Sequence, residues 1–274
     1  VAFCISLCGS AVTACAPDFP RFGTEGRHAE AAFENRTSLL RRPFDWAALG
    51  AELVLYAAYY GATNRYAHNV LGPLRDNTSL TIHLRPADAP NSFTCPRGVA
   101  LPDDLVFEGV RPILADVSGD GVPEILTTIS SQTQGARVSV FDIHGEEIAA
   151  TPHIGTRYRW LGLIGAADLD GDGAIEIAYV DRPHLAKTLR VWRYAGGVLT
   201  EVSALQGLTN HKIGEPFISG GIRDCGAGPE IITADARWRQ IVATRLVGGA
   251  LEARAVAQFE GPDSFQAVLD CTMR

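Results

Sequence analysis

Asp168-Leu169-Asp170-Gly171-Asp172-Gly173-Ala174-Ile175-Glu176 runs directly into the apolar stretch Ile177-Ala178-Tyr179-Val180. Carboxylates stand at positions 1, 3, 5 and 9 of this loop, and its two glycines permit the turn. Alternating acids on a tight loop suit a hard divalent cation. Calcium takes about six to eight oxygens at flexible distances, and so short a loop supplies them from alternate side chains plus a backbone carbonyl. The pattern assigns Asp168, Asp170, Asp172 and Glu176 as side-chain ligands, with Ala174 giving its main-chain oxygen. An EF-hand needs glutamate at position 12; that position is Tyr179, inside the apolar run, so the loop joins two strands and not two helices. The plainer reading is an acidic β-turn, since Asp and Gly are common turn residues. The cation reading is favoured because the carboxylates would repel one another without a positive charge between them.

The stretch recurs. Asp116-Val117-Ser118-Gly119-Asp120-Gly121-Val122-Pro123-Glu124-Ile125 lies 52 residues upstream in the same register, which assigns Asp116, Ser118, Asp120, Val122 and Glu124 as a second ligand set. A worn copy, Ile222-Arg223-Asp224-Cys225-Gly226-Ala227-Gly228-Pro229-Glu230-Ile231, keeps only Asp224 and Glu230 as acids and is expected to hold no metal. Each copy ends in Glu-Ile and enters a β-prone segment. A period of about 50 residues with several strands per unit marks a propeller or array.

These loops resemble the FG-GAP or VCBS repeats, also found in the integrin α-subunit propeller, whose mark is an Asp-x-Asp-Gly-Asp-Gly-type calcium loop once per blade. The resemblance is strongest over residues 100–260. It implies an all-β fold, a β-propeller of about five blades over residues 51–274, clearest at 106–260, with one or two structural Ca2+ ions. Ser118 replaces the second acid of the first loop and should weaken that site. The motif specifies a fold and a metal more than an activity, because such propellers serve adhesion, carbohydrate binding and enzyme-accessory roles. In a propeller the last strand closes against neighbouring blades, which favours a Cys225–Cys271 disulfide; Cys95–Cys271 is the competing pair. Phe265 to Cys271 is the expected closing strand.

Residues 1–16 are apolar and small, too short to span a bilayer as a helix, and read as the h-region and cleavage zone of a secretion signal. Val12-Thr13-Ala14-Cys15 resembles a bacterial lipobox, which would lipidate Cys15; Ala14-Cys15-Ala16 equally fits simple cleavage, and a buried N-terminal strand is the bland alternative. The chain is therefore expected in the bacterial periplasm, on the outer membrane as a lipoprotein, or outside the cell, where two of its remaining cysteines should pair. Residues 17–50 form a connector. Beyond it, Glu52–Tyr60, Tyr66–Leu71 and Ser79–Leu84 read as strands of a first blade. The net charge of −7 argues against a nucleic-acid partner, which would call for a basic face.

No HExxH, GxSxG, Walker or GxGxxG motif is present, and no CxxC pair suggests zinc. Three loops carry chemistry-bearing residues: Asp181-Arg182-Pro183-His184, Thr209-Asn210-His211-Lys212 and Arg157-Tyr158-Arg159-Trp160. Salt-bridged turns and inter-blade packing explain them as simply as ligand binding does. The leading expectation is thus a non-catalytic, calcium-stabilised extracytoplasmic propeller that binds or scaffolds a protein or carbohydrate. The alternatives are a secreted enzyme on the same scaffold, of the polysaccharide-lyase or phosphodiesterase type, and a structural accessory subunit. The enzyme would require carboxylates, histidines or arginines converging in a cleft.

Overall fold

The computed structural model describes residues 52–86 and 96–272, all within the unit Ser38–Arg274. The expected signal (1–16), Cys15, the connector (17–50) and Cys95 lie outside the described residues. A long antiparallel ladder comes first: β1 (Glu52–Thr63) pairs with β2 (Asp76–Pro86), flanked by β3 (Arg97–Ala100) and β4 (Leu105–Phe107). Three successive meanders follow. The first is β5 (Ile113–Ala115), β6 (Glu124–Ser131), β7 (Gly135–Phe141) and β8 (Glu147–Ala150). The second is β9 (Leu161–Ala167), β10 (Glu176–Asp181), β11 (Thr188–Ala195) and β12 (Val198–Gln206). After the short β13 (Leu208–Thr209) comes the third: β14 (Gly221–Asp224), β15 (Pro229–Asp235), β16 (Gln240–Val247) and β17 (Ala250–Gln258). The chain then forms the helix α1 (Pro262–Leu269).

Among the described residues the fold is all-β apart from this helix, and each acidic loop joins the first two strands of a meander. Alternation within the second strands explains the stacking. A strand sends successive side chains to opposite faces, and these strands are buried on both. On β10, Ile177 and Tyr179 pack with Leu126, Val138 and Val140 of the first meander. The intervening Ala178 packs with Ile222, Ile231 and Val242 of the third. On β6, Ile125 and Ile129 turn the other way, onto Leu80, Ile82 and Phe107 of the ladder. Each fully buried Ile or Leu contributes about 1.5–3 kcal/mol from burial, so these layers hold the meanders together.

Three four-stranded units stand among the described residues where about five were expected. The strands assigned to a separate first blade instead extend the first meander: β4 pairs with β6, Leu105 opposite Ser131, giving one eight-stranded sheet. Tyr66–Leu71 is not a strand. Ala67 and Asn69 adopt positive φ (52° and 54°), which breaks an extended ladder and leaves an irregular loop. Nor is Phe265–Cys271 a closing strand. Pro262 opens a helix there, where Pro is tolerated in the first turn. Its Phe265 and Val268, three residues apart on one face, seal Ile232, Ala234, Ile241 and Ala243.

Candidate functional site

The two intact acidic loops are built by the same bonds. Asp116 accepts from Gly119 N and Gly121 N (2.8 and 2.9 Å), and Asp168 accepts from Gly171 N and Gly173 N (2.7 and 3.0 Å). All four glycines have positive φ, 76–93°, which a side chain would strain. Glu124 folds back to accept from Val117 N and Ser118 N, and Glu176 from Leu169 N. Burial raises both glutamates above the usual carboxylate range. One oxygen each from Asp116, Asp120 and Glu124, and likewise from Asp168, Asp170 and Glu176, lie within 4.8 Å of one another, so either triad could hold a metal ion.

Of the other assigned ligands, the Ser118 side chain hydrogen-bonds to Glu124, and Asp172 shares Arg193 with Asp170 and Glu176. Val122 N and Ala174 N donate to Asp120 and Asp172. Asp172 turns its other oxygen to Arg193, whose guanidinium also meets Asp170 and Glu176 at 2.6–2.9 Å. In the third loop Glu230 receives Arg223, Arg245 and Arg254. Cys225 and Cys271 are bonded, Cα to Cα 5.7 Å, tying that loop to the end of α1.

A second constellation lies away from the acidic loops. Its cleft, about 30 Å³, is lined by His68, Tyr158, Arg159, Trp160, Arg182, His184 and Leu185. Two of the three loops singled out by composition line it directly, and the third backs it through His211. The 66–71 loop supplies the rest. Glu108, just after β4, is 1% exposed and lies 2.6 Å from His68 Nδ1, while the Ser130 hydroxyl donates to its other oxygen. Its carbonyl accepts from Trp160 Nε1 at 2.8 Å. Burial raises the Glu108 carboxyl, with opposing hydrogen bonds and charge from His68. Nearby Asp76 is pushed up to about 7 by burial and by the Glu108 charge.

The cleft is held in a strained backbone. Tyr158 and Arg182 on its lining, and Ala67 and Asn69 beside His68, all have positive φ. Such conformations cost about 1–3 kcal/mol each and cluster at functional sites. Tyr158 N donates to the buried Tyr66 hydroxyl at 2.9 Å. The Tyr158 ring stacks on His68 at 5.1 Å and carries Arg157 on its other contact, 4.5 Å from the centroid. Asp181 binds Arg182 through two bonds of 2.8 and 2.9 Å, whereas Arg159 forms no ion pair among the described residues.

Glu108, Tyr66 and His68 were missed as site residues. Glu108 is a single acid at the end of the apolar run Leu105-Val106-Phe107, and that misfit was the one local signal for it.

The chain matches no protein-family model and no curated protein. Among solved structures it is similar to the rhamnogalacturonan lyase YesW (TM-score 0.37, 13% identity), covering 68% of this chain and 44% of that one. It is similar also to the exotype rhamnogalacturonan lyase YesX (0.37, 14%; 64% and 40%) and to a rhamnogalacturonan lyase of Bacillus licheniformis (0.36, 13%; 68% and 44%). The chain spans less than half the length of each. The expectation of a non-catalytic binding or scaffold module is corrected on the geometry: the histidines, arginines and buried carboxylate that the enzymatic alternative requires converge in the His68–Glu108 cleft.

Proposed function

We propose that this chain belongs to an exported enzyme that cleaves a uronate-containing polysaccharide by elimination, on a calcium-bearing propeller scaffold. The observation that carries the reading is the His68–Glu108 dyad set in one cleft with Arg159 and Tyr158. A histidine whose Nδ1 is engaged by a buried carboxylate presents Nε2 as a general base, the carboxylate holding its tautomer and orientation. Arg159 suits a carboxylate, to which guanidinium offers a planar fork. Tyr158, whose ring packs between His68 and Arg157, leaves its exposed edge to meet the sugar. The cleft has room for about one or two water molecules, so the sugar lies across its mouth.

In the reaction, His68 Nε2 takes the proton from C5 of the uronate, and the electron pair forms a C4–C5 double bond. The C4–O bond breaks, and the leaving oxygen takes a proton from solvent. Arg159 neutralises the uronate carboxylate, which makes C5 more acidic.

The three stacked meanders, each with its loop between first and second strands, support reading them as consecutive blades of an FG-GAP/VCBS-like propeller. Calcium suits the all-oxygen donor sets of Asp116, Asp120 and Glu124 and of Asp168, Asp170 and Glu176. Bound there it would fasten blade corners and couple metal binding to folding. The Cys225–Cys271 disulfide supports export, because such bonds persist in oxidising compartments.

The test is incubation of the full chain with a panel of uronate polymers, rhamnogalacturonan among them, following the ultraviolet absorbance of the unsaturated product. Activity is expected, with a loss of about 100-fold or more in His68→Ala, the scale of a general base. Folding of the variant is checked by circular dichroism. Failure of the wild-type chain to form an unsaturated product from any polymer would sink the proposal.

A further inference from the structure

The cleft holds a second imidazole whose protonation is set by a chain of hydrogen bonds. His211 Nε2 lies 2.8 Å from the Glu215 carbonyl oxygen, which can only accept, so that nitrogen carries the proton. His211 Nδ1 is then an acceptor, and His184 Nε2, 2.9 Å away, donates to it. The proton of neutral His184 is thereby placed on Nε2, leaving Nδ1 with a lone pair and no hydrogen.

The surroundings hold this arrangement in place. His211 is 1% exposed. The adjoining Asn210 donates to the Gly162 carbonyl at 2.9 Å, and a Cβ on Gly162 would fall 2.4 Å from the Asn210 side chain, so only glycine admits the contact. Trp160 stacks on His184 with 9° between the ring planes. Burial, and after it the charges of His211, His68 and Lys187, push the His184 imidazole down to about 4; the His211 carbonyl opposes this without reversing it. Arg182, two residues away, is engaged by Asp181. A neutral imidazole so hard to protonate is a poor proton acceptor from carbon. It remains a good hydrogen-bond acceptor from a hydroxyl.

We infer that His184 is a specificity-determining residue that reads a sugar hydroxyl through Nδ1, with His211 as the residue that positions it. The inference rests on the carbohydrate reading of the cleft. A site that commits a hydrogen-bond acceptor to a substrate hydroxyl discriminates against the analogue that cannot donate to it.

Two measurements on the full chain test it. Nitrogen-15 NMR of the histidines needs no ligand: His184 is expected as the neutral Nε2–H tautomer from pH 8 to about pH 5, below the ordinary histidine value of about 6.5. His211→Ala should mix its tautomers. An Nδ1–H tautomer in the wild type, or titration at the ordinary value, overturns the inference. The second measurement compares pectic oligosaccharides with free and with O-acetylated hydroxyls, by calorimetry and by turnover. Wild type should favour the free form roughly 10- to 100-fold, the scale of one unpaired polar group. His184→Phe should lose that preference through the free form alone, and equal losses on both overturn the inference. Discriminating binding without elimination would sink the lyase reading and leave this one standing, whereas no binding of either oligosaccharide overturns both.

Discussion

The second and third acidic loops occupy the same place in consecutive meanders and balance a buried glutamate in different ways. Glu176 is fully buried and meets one guanidinium, that of Arg193, which it shares with Asp170 and Asp172. Four acids against one arginine leave a surplus of negative charge that a divalent cation would neutralise. The third loop is two residues shorter between its aspartate and glutamate and has lost the acids in between. There Glu230 faces three arginines, and one of them, Arg223, is as buried as Glu230 itself, at 3%. The Cys225–Cys271 bond fastens the same loop covalently. In the first loop the ladder ends with Ile125 opposite Phe141, and the residue after Phe141 is the acidic Asp142, whereas in the second Arg193 stands opposite Glu176. One hairpin thus carries two kinds of charge balance, an acidic triad that could hold an exchangeable ion or a permanent set of guanidiniums with a disulfide.

The contrast can be broken most severely at Glu230. Glu230→Ala leaves Arg223 buried without its partner, and loss of about 3–5 kcal/mol is expected in denaturant titrations, with no rescue by calcium. Burial alone would raise the Glu230 carboxyl, but hydrogen bonds from Arg254, Arg223 and Arg245 hold it below the usual range. A depressed carboxyl stabilises the fold above its unfolded pKa of about 4.3 and ceases to do so as pH falls through the folded value. Wild type should therefore lose stability on acidification below about pH 4.3 more steeply than Glu230→Gln; parallel slopes would refute the assignment.

Next in size is the disulfide, whose ends are 46 residues apart. Cys225→Ser with Cys271→Ser should cost roughly 2–4 kcal/mol, measured with and without calcium, and a calcium-dependent cost would blur the distinction between the two loops. Asp120→Ala and Asp170→Ala should instead lower the melting temperature only in calcium. At about a hundredfold excess over Kd the linked stabilisation is roughly 2.7 kcal/mol, and melting temperatures equal to wild type in calcium would remove the ion from the account. The smallest effect belongs to Arg193→Gln. Its pairs with Asp170 and Asp172 are partly exposed and worth no more than about 1 kcal/mol each, so on their account calorimetry should show calcium binding to the second loop tighten by about fivefold at most. Weaker binding would mean that Arg193 supports the ion and does not compete with it.

The acidic loops and the meanders around them were legible in the sequence because their determinants are local. Asp168 bonds to glycines three and five residues on, and Glu176 closes back on Leu169 seven residues away. The β-prone run from Ile177 to Val180 is likewise a local property. The helix at Pro262–Leu269 was misread because Phe265, Val268 and Leu269 suit either a short strand or a short helix, and packing against Ile232 and Ala243 decides between them.

The cleft shows the opposite case. Composition alone had marked Tyr158, Arg182, His184 and His211, yet the loops carrying them could not be joined, nor could Glu108 be seen as the partner of His68 40 residues earlier. The sequence by itself determined the repeat, the all-β character and the acidic hairpins, because hydrogen bonds and side-chain alternation within about ten residues dictate them. Only the tertiary structure decided how many meanders stack, which charge meets each buried glutamate, and that His68, Glu108, Tyr158 and His184 share one cleft. Those outcomes depend on burial and on contacts between distant segments, and burial converts an ordinary His or Glu into a group with a fixed partner and a shifted charge.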